Sequence, residues 1–397
     1  MRITADWLTA PGLVAVLDAL TGAGQRALLV GGCVRNALIG APVSDLDIAT
    51  DAEPDRVIAL MQAAGLKTVP TGLVHGTVTV VAGGVPHEVT TFRRDVETFG
   101  RNATVAFSTR IEDDAARRDF TMNALYAEGG GRVIDPLGTG LADLAARRLR
   151  FVGEPADRIA EDYLRILRFF RFHAWYADPA GGLDPEGLAA CAAGAEGIER
   201  LSRERVGAEM LKLLAAPDPA PAVAAMRASG VLARVLPGAD DRALAPLLHL
   251  EEGAAPDPLR RLAVLGGAAP DEALRLSRAQ ARDLADLRAA ATGGQGPAEL
   301  GWRLGADRAR DALMARAALL EQPLPQGWQE AVARGAAAQF PLTAADLMPA
   351  FAGPALGAEL KAREARWIAS DLTASRDDLL GDDGTGGGEG GGSDGQD

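Results

Sequence analysis

The chain has 397 residues, of which 48% are hydrophobic and 24% charged, a composition typical of a globular protein with two to four domains of roughly 100–200 residues each. No run approaches the roughly 18 apolar residues of a membrane-spanning helix, and Asp6 interrupts the segment where a signal peptide needs its apolar stretch. Cys33 and Cys191 are too few for a disulfide scaffold or a cysteine-rich zinc site, so we expect reduced thiols in a cytoplasmic protein.

The formal net charge of −13 is distributed unevenly along the chain. Residues 371–397 contain eight acids and one base, whereas residues 144–175 contain seven arginines and four acids. Because a local basic patch is what meets phosphates, the acidic total does not exclude a nucleic-acid partner.

The predicted elements begin with a leading helix that ends at Gly22. Residues 28–30 are typical of a short buried strand, and residues 33–39 of the helix that follows it. Two β-branched runs, residues 77–81 and 87–92, flank a glycine turn and predict a hairpin. Residues 93–108 are polar and lack periodicity, so we expect a mobile loop there.

After the turn Asp135-Pro136-Leu137-Gly138 only helical periodicity follows, over residues 141–372. The end of the chain, residues 381–397, is Gly-rich and acidic and cannot bury a core, so we expect it to be disordered. The sequence therefore predicts an α+β part followed by a long all-α part.

Two carboxylates, Asp45 and Asp47, stand one residue apart shortly after the paired glycines Gly31-Gly32. On a strand both acids point to the same side, and a magnesium ion would relieve their repulsion, because it prefers carboxylates together with substrate phosphates. A strand, a Gly-Gly turn and a helix N-terminus leave backbone N–H groups and a positive dipole end for an anion. The pattern predicts metal-dependent chemistry on a nucleotide.

Two further blocks combine arginines with acids. Arg117-Arg118-Asp119-Phe120-Thr121-Met122-Asn123-Ala124, taken alone, is typical of a charged helix start. Residues 161–172 are typical of an amphipathic helix in which Glu161 and Arg165 pair at i,i+4. In such a helix Asp162 and Arg165 lie one turn apart and can present an acceptor and a donor fork to the edge of one base.

The segment Gly31-Gly32-Cys33-Val34-Arg35-Asn36-Ala37-Leu38-Ile39-Gly40 with Asp45-Leu46-Asp47 resembles the first motif of class II tRNA nucleotidyltransferases and bacterial poly(A) polymerases, which are DNA polymerase β-like enzymes. The other two blocks resemble later motifs of that family, and residues 201–214 resemble its neck helix, which we expect to support the base-selecting helix. One departure is Asn36, where the family more often has Asp. The resemblance is dense from residue 28 to about residue 214.

The resemblance implies a role for each matching residue. The catalytic carboxylates are Asp45, Asp47 and Glu88, of which Asp45 and Asp47 bind the Mg²⁺ ions; the alternative for Glu88 is an ordinary surface acid of an edge strand. Contacts to the nucleotide triphosphate fall on Gly32, Arg35 and Arg118, and positions near the ribose on Asp119 and Asn123. Asp162 and Arg165 act as a protein template for CTP and ATP, and Arg168 and Arg171 hold phosphate or orient the helix.

The implied architecture is an α+β polymerase β-like head with a small mixed sheet over residues 1–135, followed by an all-α neck, body and tail. The neck, residues 136–216, carries the base-selecting helix; the body and tail, residues 217–373, bind tRNA; residues 374–397 form the disordered acidic end.

The implied activity is template-independent addition of C, C and A to the 3′ end of tRNA from CTP and ATP, with release of pyrophosphate. The alternative is a poly(A) polymerase, which adds only A. Residues 93–108 favour the first activity, because they resemble the flexible loop of CCA-adding members. A catalytically silent relative would lack one acid of the Asp45/Asp47 pair, and both are present.

Overall fold

A computed structural model describes residues 1–99, 102–251 and 253–381. The disorder predicted for the Gly-rich end from residue 382 onward lies outside these described residues. The chain divides into two compact units. The first comprises Met1–Asp241, Pro256–Pro258 and Gly266–Ser277, and the second comprises Arg242–Ala255, Leu259–Leu265 and the chain from Arg278 on.

Within the described residues one mixed sheet has seven strands, and two further strands pair with each other. The strands are β1 (Ala27–Val30), β2 (Asp47–Thr50), β3 (Lys67–Gly72), β4 (Thr77–Ala82), β5 (Val85–Thr91), β6 (Arg93–Phe99), β7 (Asn102–Phe107), β8 (Tyr126–Glu128) and β9 (Val133–Ile134). The order in the larger sheet is β3-β4-β5-β2-β1-β8-β9. Strands β2 and β5 run parallel and in a register that sets Asp47 beside Glu88.

In the first unit the first three helices contact strands of the sheet, and further helices follow them along the chain. They are α1 (Pro11–Thr21), α2 (Gly32–Ile39), α3 (Pro54–Ala63), α4 (Ile111–Ala116), α5 (Gly140–Ala145), α6 (Pro155–Glu161), α7 (Leu164–Tyr176), α8 (Pro185–Ala193), α9 (Arg203–Leu214), α10 (Ala220–Ala228) and α11 (Val231–Val235). The remaining helices are α12 (Leu244–Leu250), α13 (Pro258–Leu265), α14 (Pro270–Ala273), α15 (Arg278–Thr292), α16 (Pro297–Leu320), α17 (Trp328–Ala337), α18 (Gly353–Ala369) and α19 (Arg376–Leu380). Of these, α14 belongs to the first unit. The prediction of helices alone after the turn at Asp135 is confirmed for the described residues.

The local predictions for the head are confirmed where a backbone rule determines them. Helix α1 ends just before Gly22, and β1 and α2 follow as expected. The hairpin β4–β5 turns through Gly83 (φ 59°) and Gly84 (φ 80°), and a two-residue turn with both φ values positive requires such residues.

Two predictions about irregular segments are wrong in the described residues. The segment 93–108, expected to be a loop, forms the antiparallel pair β6–β7; residues 100 and 101 lie outside the description. In the described part of the chain these strands pair only with each other, and a two-stranded ribbon outside the main sheet need not show the polar–apolar alternation that identifies a strand in sequence. The start of the predicted disordered end is helix α19, capped by Ser375 and anchored by buried Leu379.

The second unit contains a buried ionic cluster. Arg260 and Arg261 are each 2% exposed, and Glu251 accepts hydrogen bonds from both (Arg260 Nε–Oε1 2.6 Å, Arg261 Nη2–Oε2 2.8 Å). Asp311 accepts a second bond from Arg260 (Nη1–Oδ1 2.6 Å). Two buried positive charges thus meet two buried negative charges. Across the described part of the chain, no helix is long and apolar enough to span a membrane.

Candidate active site

The turn between β1 and α2 has a backbone conformation that favours glycine. Gly31 has φ 73° and precedes the first helical residue, Gly32. A Cβ at Gly31 would lie 3.3 Å from Nη1 of Arg118, so the missing side chain lets this guanidinium approach the backbone. The amino end of α2 therefore combines free N–H groups, a helix dipole and an arginine, which together suit a phosphate.

The predicted carboxylates gather beside this turn. Asp47 is the first residue of β2, with Glu88 as its register partner on β5, whereas Asp45 lies before the strand. The sequence argument that both aspartates share one strand is therefore wrong, although both line one cleft with Glu88. This cleft, of about 500 Å³, is lined also by Ser44, Leu46, Thr79, Val85, Pro86 and His87.

The electrostatics of this cleft suit a cation. Asp47 is open to solvent on the cleft side, yet the protein atoms around its carboxylate displace water and raise its pKa. The charge of Glu88, and less that of Asp45, raises the pKa further, while Arg118 acts in the opposite direction. Hard carboxylate oxygens that repel one another fit a divalent metal ion. In the described residues no three His, Cys, Asp or Glu side chains are gathered closely enough to hold a metal by themselves.

Arg118 is held by two groups that the sequence did not reveal. Its Nη2 donates to Asp114 Oδ2 (2.9 Å) and its Nε to the hydroxyl of Tyr126 (3.0 Å), which itself donates to Asp114 (2.6 Å). Burial raises the pKa of Asp114, but Arg118, Arg117 and Tyr126 outweigh it and bring the value to about 2. Burial acts to lower the pKa of Arg118, but Tyr126 and Asp114 outweigh burial, so the pKa of Arg118 is raised overall. The guanidinium beside Gly31 is therefore permanently charged and fixed.

The position of the unusual Asn36 also has a physical explanation. Its Oδ1 accepts from Nε (3.1 Å) and Nη2 (2.8 Å) of the buried Arg35, and its Nδ2 donates to the carbonyl of Pro42 (2.7 Å). Burial lowers the pKa of Arg35, and its guanidinium stacks 3.8 Å from the ring centroid of Tyr176. Aspartate would accept from Arg35 equally well, but it could not donate to Pro42.

A chain of hydrogen bonds joins α2 to α7. Arg35 donates to Asn123 Oδ1, and Asn123 Nδ2 donates to Asp119 Oδ1 (3.0 Å). Asp119 Oδ2 accepts two bonds from Arg168, one of them from Nε at 2.8 Å. Burial alone would raise the pKa of Asp119, but Arg168 and the other donors hold it below its ordinary value. The structure thus brings Arg35, Asn123, Asp119 and Arg168 together.

The block that contains Asp162 and Arg165 departs from its predicted geometry. Residues 161–172 do not form one helix, because α6 ends at Glu161, Asp162 has extended φ/ψ (−152°, 106°), and α7 begins at Leu164. Asp162 therefore caps the start of α7 through Oδ1 and the N–H of Leu164 (3.1 Å). The predicted pair of Glu161 and Arg165 is present despite the break. Arg165 also donates to the carbonyls of Arg158 (2.8 Å) and Arg117 (3.0 Å).

Helix α9 supports α7, as predicted for the neck helix. Three contacts join this helix to α7 and to the residue that caps it: Arg205 Nη2 to Asp162 Oδ2 (2.6 Å), Arg171 Nε to Glu209 Oε2 (2.5 Å), and Trp175 Nε1 to the carbonyl of Lys212 (2.8 Å). The pair of Arg171 and Glu209 is mostly buried, with side chains 13% and 7% exposed. Arg171 is therefore placed to orient the helix.

Sequence reasoning missed four supporting residues: Asp114, Tyr126, Arg205 and Glu209. The i,i+4 spacing of Asp114 and Arg118 could have identified the first of these. Nothing local identifies the partners on α9, which lie 43 and 38 residues from Asp162 and Arg171 in the sequence.

The fold and the site define a nucleotidyltransferase head. Residues 27–150 match the family model of the poly A polymerase head domain, and residues 182–242 match that of the probable RNA and SrmB-binding site of polymerase A. The chain is 39% identical over 204 residues to the human mitochondrial CCA tRNA nucleotidyltransferase 1 (51% of this chain, 47% of the human protein). It is 41% identical over 225 residues to the CCA-adding enzyme of Geobacillus thermodenitrificans (56% and 54%).

These sequence matches span about half the length of the curated relatives. A solved structure of the Bacillus stearothermophilus CCA-adding enzyme in complex with CTP matches far more of the chain, covering 91% of it and 93% of that protein at 30% identity, with a TM-score of 0.72. The chain belongs to the class II CCA-adding enzyme family.

Proposed function

We propose that this protein adds C, C and A to the 3′ end of tRNA without a nucleic-acid template, using CTP and ATP and releasing pyrophosphate. The observation that carries the proposal is the placement of Asp47 beside Glu88 in a cleft next to the Gly31 turn. A likeness over 91% of the chain to a CCA-adding enzyme solved with CTP supports the same reading. The two buried free cysteines agree with a reducing compartment, and the cytoplasmic location stays a prediction.

In this proposal Asp45 and Asp47 would hold Mg²⁺ together with the triphosphate, and Glu88 is the third catalytic carboxylate of the cleft. When bound, the metal lowers the pKa of the attacking 3′-hydroxyl and neutralises charge on the departing pyrophosphate. The carboxylates bring oxygen ligands to one cleft, and their mutual repulsion favours a cation there.

The triphosphate lies at the amino end of α2, where Gly32 offers a backbone N–H and Arg118 a charged fork. Arg118 keeps its orientation when the nucleotide leaves, because Asp114 and Tyr126 hold it. Such fixed donors cost little reorganisation during the reaction. Arg168 is 31% exposed and keeps Nη1 free of described partners while Asp119 holds its Nε and Nη2, which leaves donors for a phosphate.

The choice of base rests on hydrogen-bonding capacity that remains at Asp162 and Arg165. Each carboxylate oxygen of Asp162 accepts one described bond, from Leu164 N–H or from Arg205, and so can accept a second. Arg165 uses both N–H groups of Nη1 and one of Nη2. Its Nε–H and a second Nη2–H have no partner among the described residues. The remaining acceptor capacity of Asp162 suits the amino group of cytosine or adenine, and the remaining N–H donors of Arg165 suit a ring nitrogen of the same base.

The alternative, a poly(A) polymerase, shares these motifs, and one experiment separates the two. The protein is incubated with Mg²⁺ and tRNA transcripts that lack CCA, with CTP and ATP supplied separately and then together, and the 3′ ends are sequenced. We expect CC from CTP alone and CCA from the mixture. Extension by A alone on any RNA would refute CCA addition. Asp47→Ala is the matched inactive control.

A further inference from the structure

Trp175 is an exposed aromatic ring held in a fixed position. It lies in the last turn of α7 and is 41% exposed. Its Nε1 donates to the carbonyl of Lys212 (2.8 Å), and its ring centroid lies 6.5 Å from that of Tyr176. The polar edge of the indole is thus satisfied within the protein while much of the ring remains open to solvent. This arrangement differs from that of Trp367, which is 2% exposed in a core cluster.

Two residues with exposed basic side chains lie near this ring through their backbones. Lys212 supplies the carbonyl that holds Trp175, and its own side chain is exposed. Arg147 is exposed as well, and its carbonyl accepts from the N–H of Asp178, three residues beyond the tryptophan (2.9 Å). Among the described residues neither cation has an ion-pair partner. The nearby acid, Asp178, uses one carboxylate oxygen to accept from the N–H of Ala180 (3.0 Å).

A chain of side-chain contacts links Trp175 to residues of the candidate nucleotide site. Tyr176, next to Trp175, stacks on Arg35 (3.8 Å from guanidinium carbon to ring centroid), and Arg35 donates to Asn123. These short contacts set Trp175 close enough for a polymer whose end is bound in the site to reach the ring. A stacked base on an aromatic ring, with phosphates on neighbouring cations, is how proteins hold single-stranded nucleic acid.

We propose that Trp175, Lys212 and Arg147 form a docking surface for the single-stranded 3′ end of the RNA substrate. One unpaired base stacks on the indole, and the adjoining phosphates meet Lys212 and Arg147. This inference rests on the proposed function, because the docking surface would guide the 3′ end of that RNA to the carboxylate cleft.

The test compares Trp175→Ala, Trp175→Phe and the control Val74→Ala, which alters an 84% exposed apolar residue of the head. With tRNA lacking CCA, we expect Trp175→Ala to raise KM for the RNA roughly tenfold, the scale of one lost base stack. The KM for CTP should change less than about twofold. Trp175→Phe keeps a stacking face, so its KM for the RNA should stay within about threefold of the wild-type value. The KM of Val74→Ala should equal that of the wild type.

Lysine footprinting of the wild-type protein is a second test of the same surface, and Lys212→Ala is a third. The lysines of the chain are Lys67, Lys212 and Lys361. Bound RNA should protect Lys212 from an amine-modifying reagent, while Lys67, on the edge strand β3, stays reactive. Lys212→Ala should reduce the slope of log affinity against log salt by about one phosphate contact.

The outcomes separate this inference from the proposed function. If the wild-type protein extends no RNA, the proposed function fails. If it adds CCA and Trp175→Ala keeps the wild-type KM for RNA, or Lys212 stays unprotected, the docking surface alone is overturned. Equal losses in both Trp175 variants, with KM for CTP rising in parallel, would assign the tryptophan a structural role instead. Self-association of the wild type that Trp175→Ala abolishes would assign the surface to a second copy of the chain.

Discussion

Replacing Asp114 by Asn should disable Arg118 without altering any group expected to meet substrate. The carboxylate is 1% exposed and accepts from Arg118 (2.9 Å) and Tyr126 (2.6 Å), while Arg117 pairs with its other oxygen (2.8 Å). Asparagine has almost the same shape, but it is neutral and turns an N–H donor toward one of these donors. Two guanidinium groups then lose their buried counter-charge.

The pKa of Asp114 sets the scale of the effect. The value of about 2 lies below the ordinary 3.8, and at about 1.4 kcal/mol per pH unit this difference corresponds to about 2 kcal/mol of folding stability. Because the folded-state pKa is the lower one, this stability is fully present above the ordinary pKa and is lost as the pH falls through the folded value. Removing one partner of a buried ion pair costs about 3–5 kcal/mol, which is our expectation for Asp114→Asn at neutral pH.

Urea unfolding between about pH 2 and about pH 7 measures this contribution as the difference between wild type and Asp114→Asn. The difference should shrink as the pH falls. Tyr126→Phe is the matched control, since it removes the two hydrogen bonds of the hydroxyl and no charge; it should cost about 1–3 kcal/mol. The KM for CTP should rise roughly tenfold or more in Asp114→Asn, the effect of misplacing one charge-assisted bond. Wild-type stability at pH 7 together with unchanged CTP binding would refute this reasoning.

Four further substitutions probe other parts of the molecule. Asp47→Asn should abolish nucleotide incorporation yet leave the Tm without metal unchanged or higher, because neighbouring carboxylates repel this charge; a clear fall in Tm would contradict that account. Asp162→Ala should reduce the preference for CTP over UTP, measured as a ratio of kcat/KM, and Arg205→Ala should reduce it in the same direction, because that arginine fixes the carboxylate. Unchanged base preference in Asp162→Ala would rule out its template role. Glu251→Gln should lower the free energy of unfolding by about 3–5 kcal/mol, since it leaves the buried Arg260 poorly compensated; a loss below about 1 kcal/mol in a urea titration would contradict this expectation.

The predictions that held depend on short stretches of chain. A Gly-Gly turn between a buried strand and a helix is determined by the positive φ of Gly31, and the hairpin by Gly83 and Gly84. Glu88, the acid that joins Asp47 in the cleft, came from the family resemblance, because nothing local predicts that β2 and β5 run parallel with these two residues paired. The glycine signals lie within a few residues of the feature that they specify.

The break at Asp162 could not be predicted in the same way. Helical periodicity continues through the block, so local pattern favours one helix. The extended conformation of Asp162 places its carboxylate where it both caps α7 and meets Arg205, a residue 43 positions away. An interaction of that separation outweighs local propensity and leaves no periodic trace in the sequence.

Counting hydrogen bonds distinguishes two carboxylates that the sequence could not rank. Asp119 accepts two bonds at each oxygen, from the Phe120 N–H, from Asn123 and twice from Arg168, which fills the roughly four acceptor positions of a carboxylate. Its predicted contact with a ribose hydroxyl stays a prediction and requires one of these partners to move. Asp162 accepts only two described bonds, so it can meet a base without losing either one. A carboxylate whose acceptor positions are all occupied stabilises the fold, whereas one with unoccupied positions can accept hydrogen bonds from a ligand. This difference favours Asp162 as the residue that selects the nucleotide.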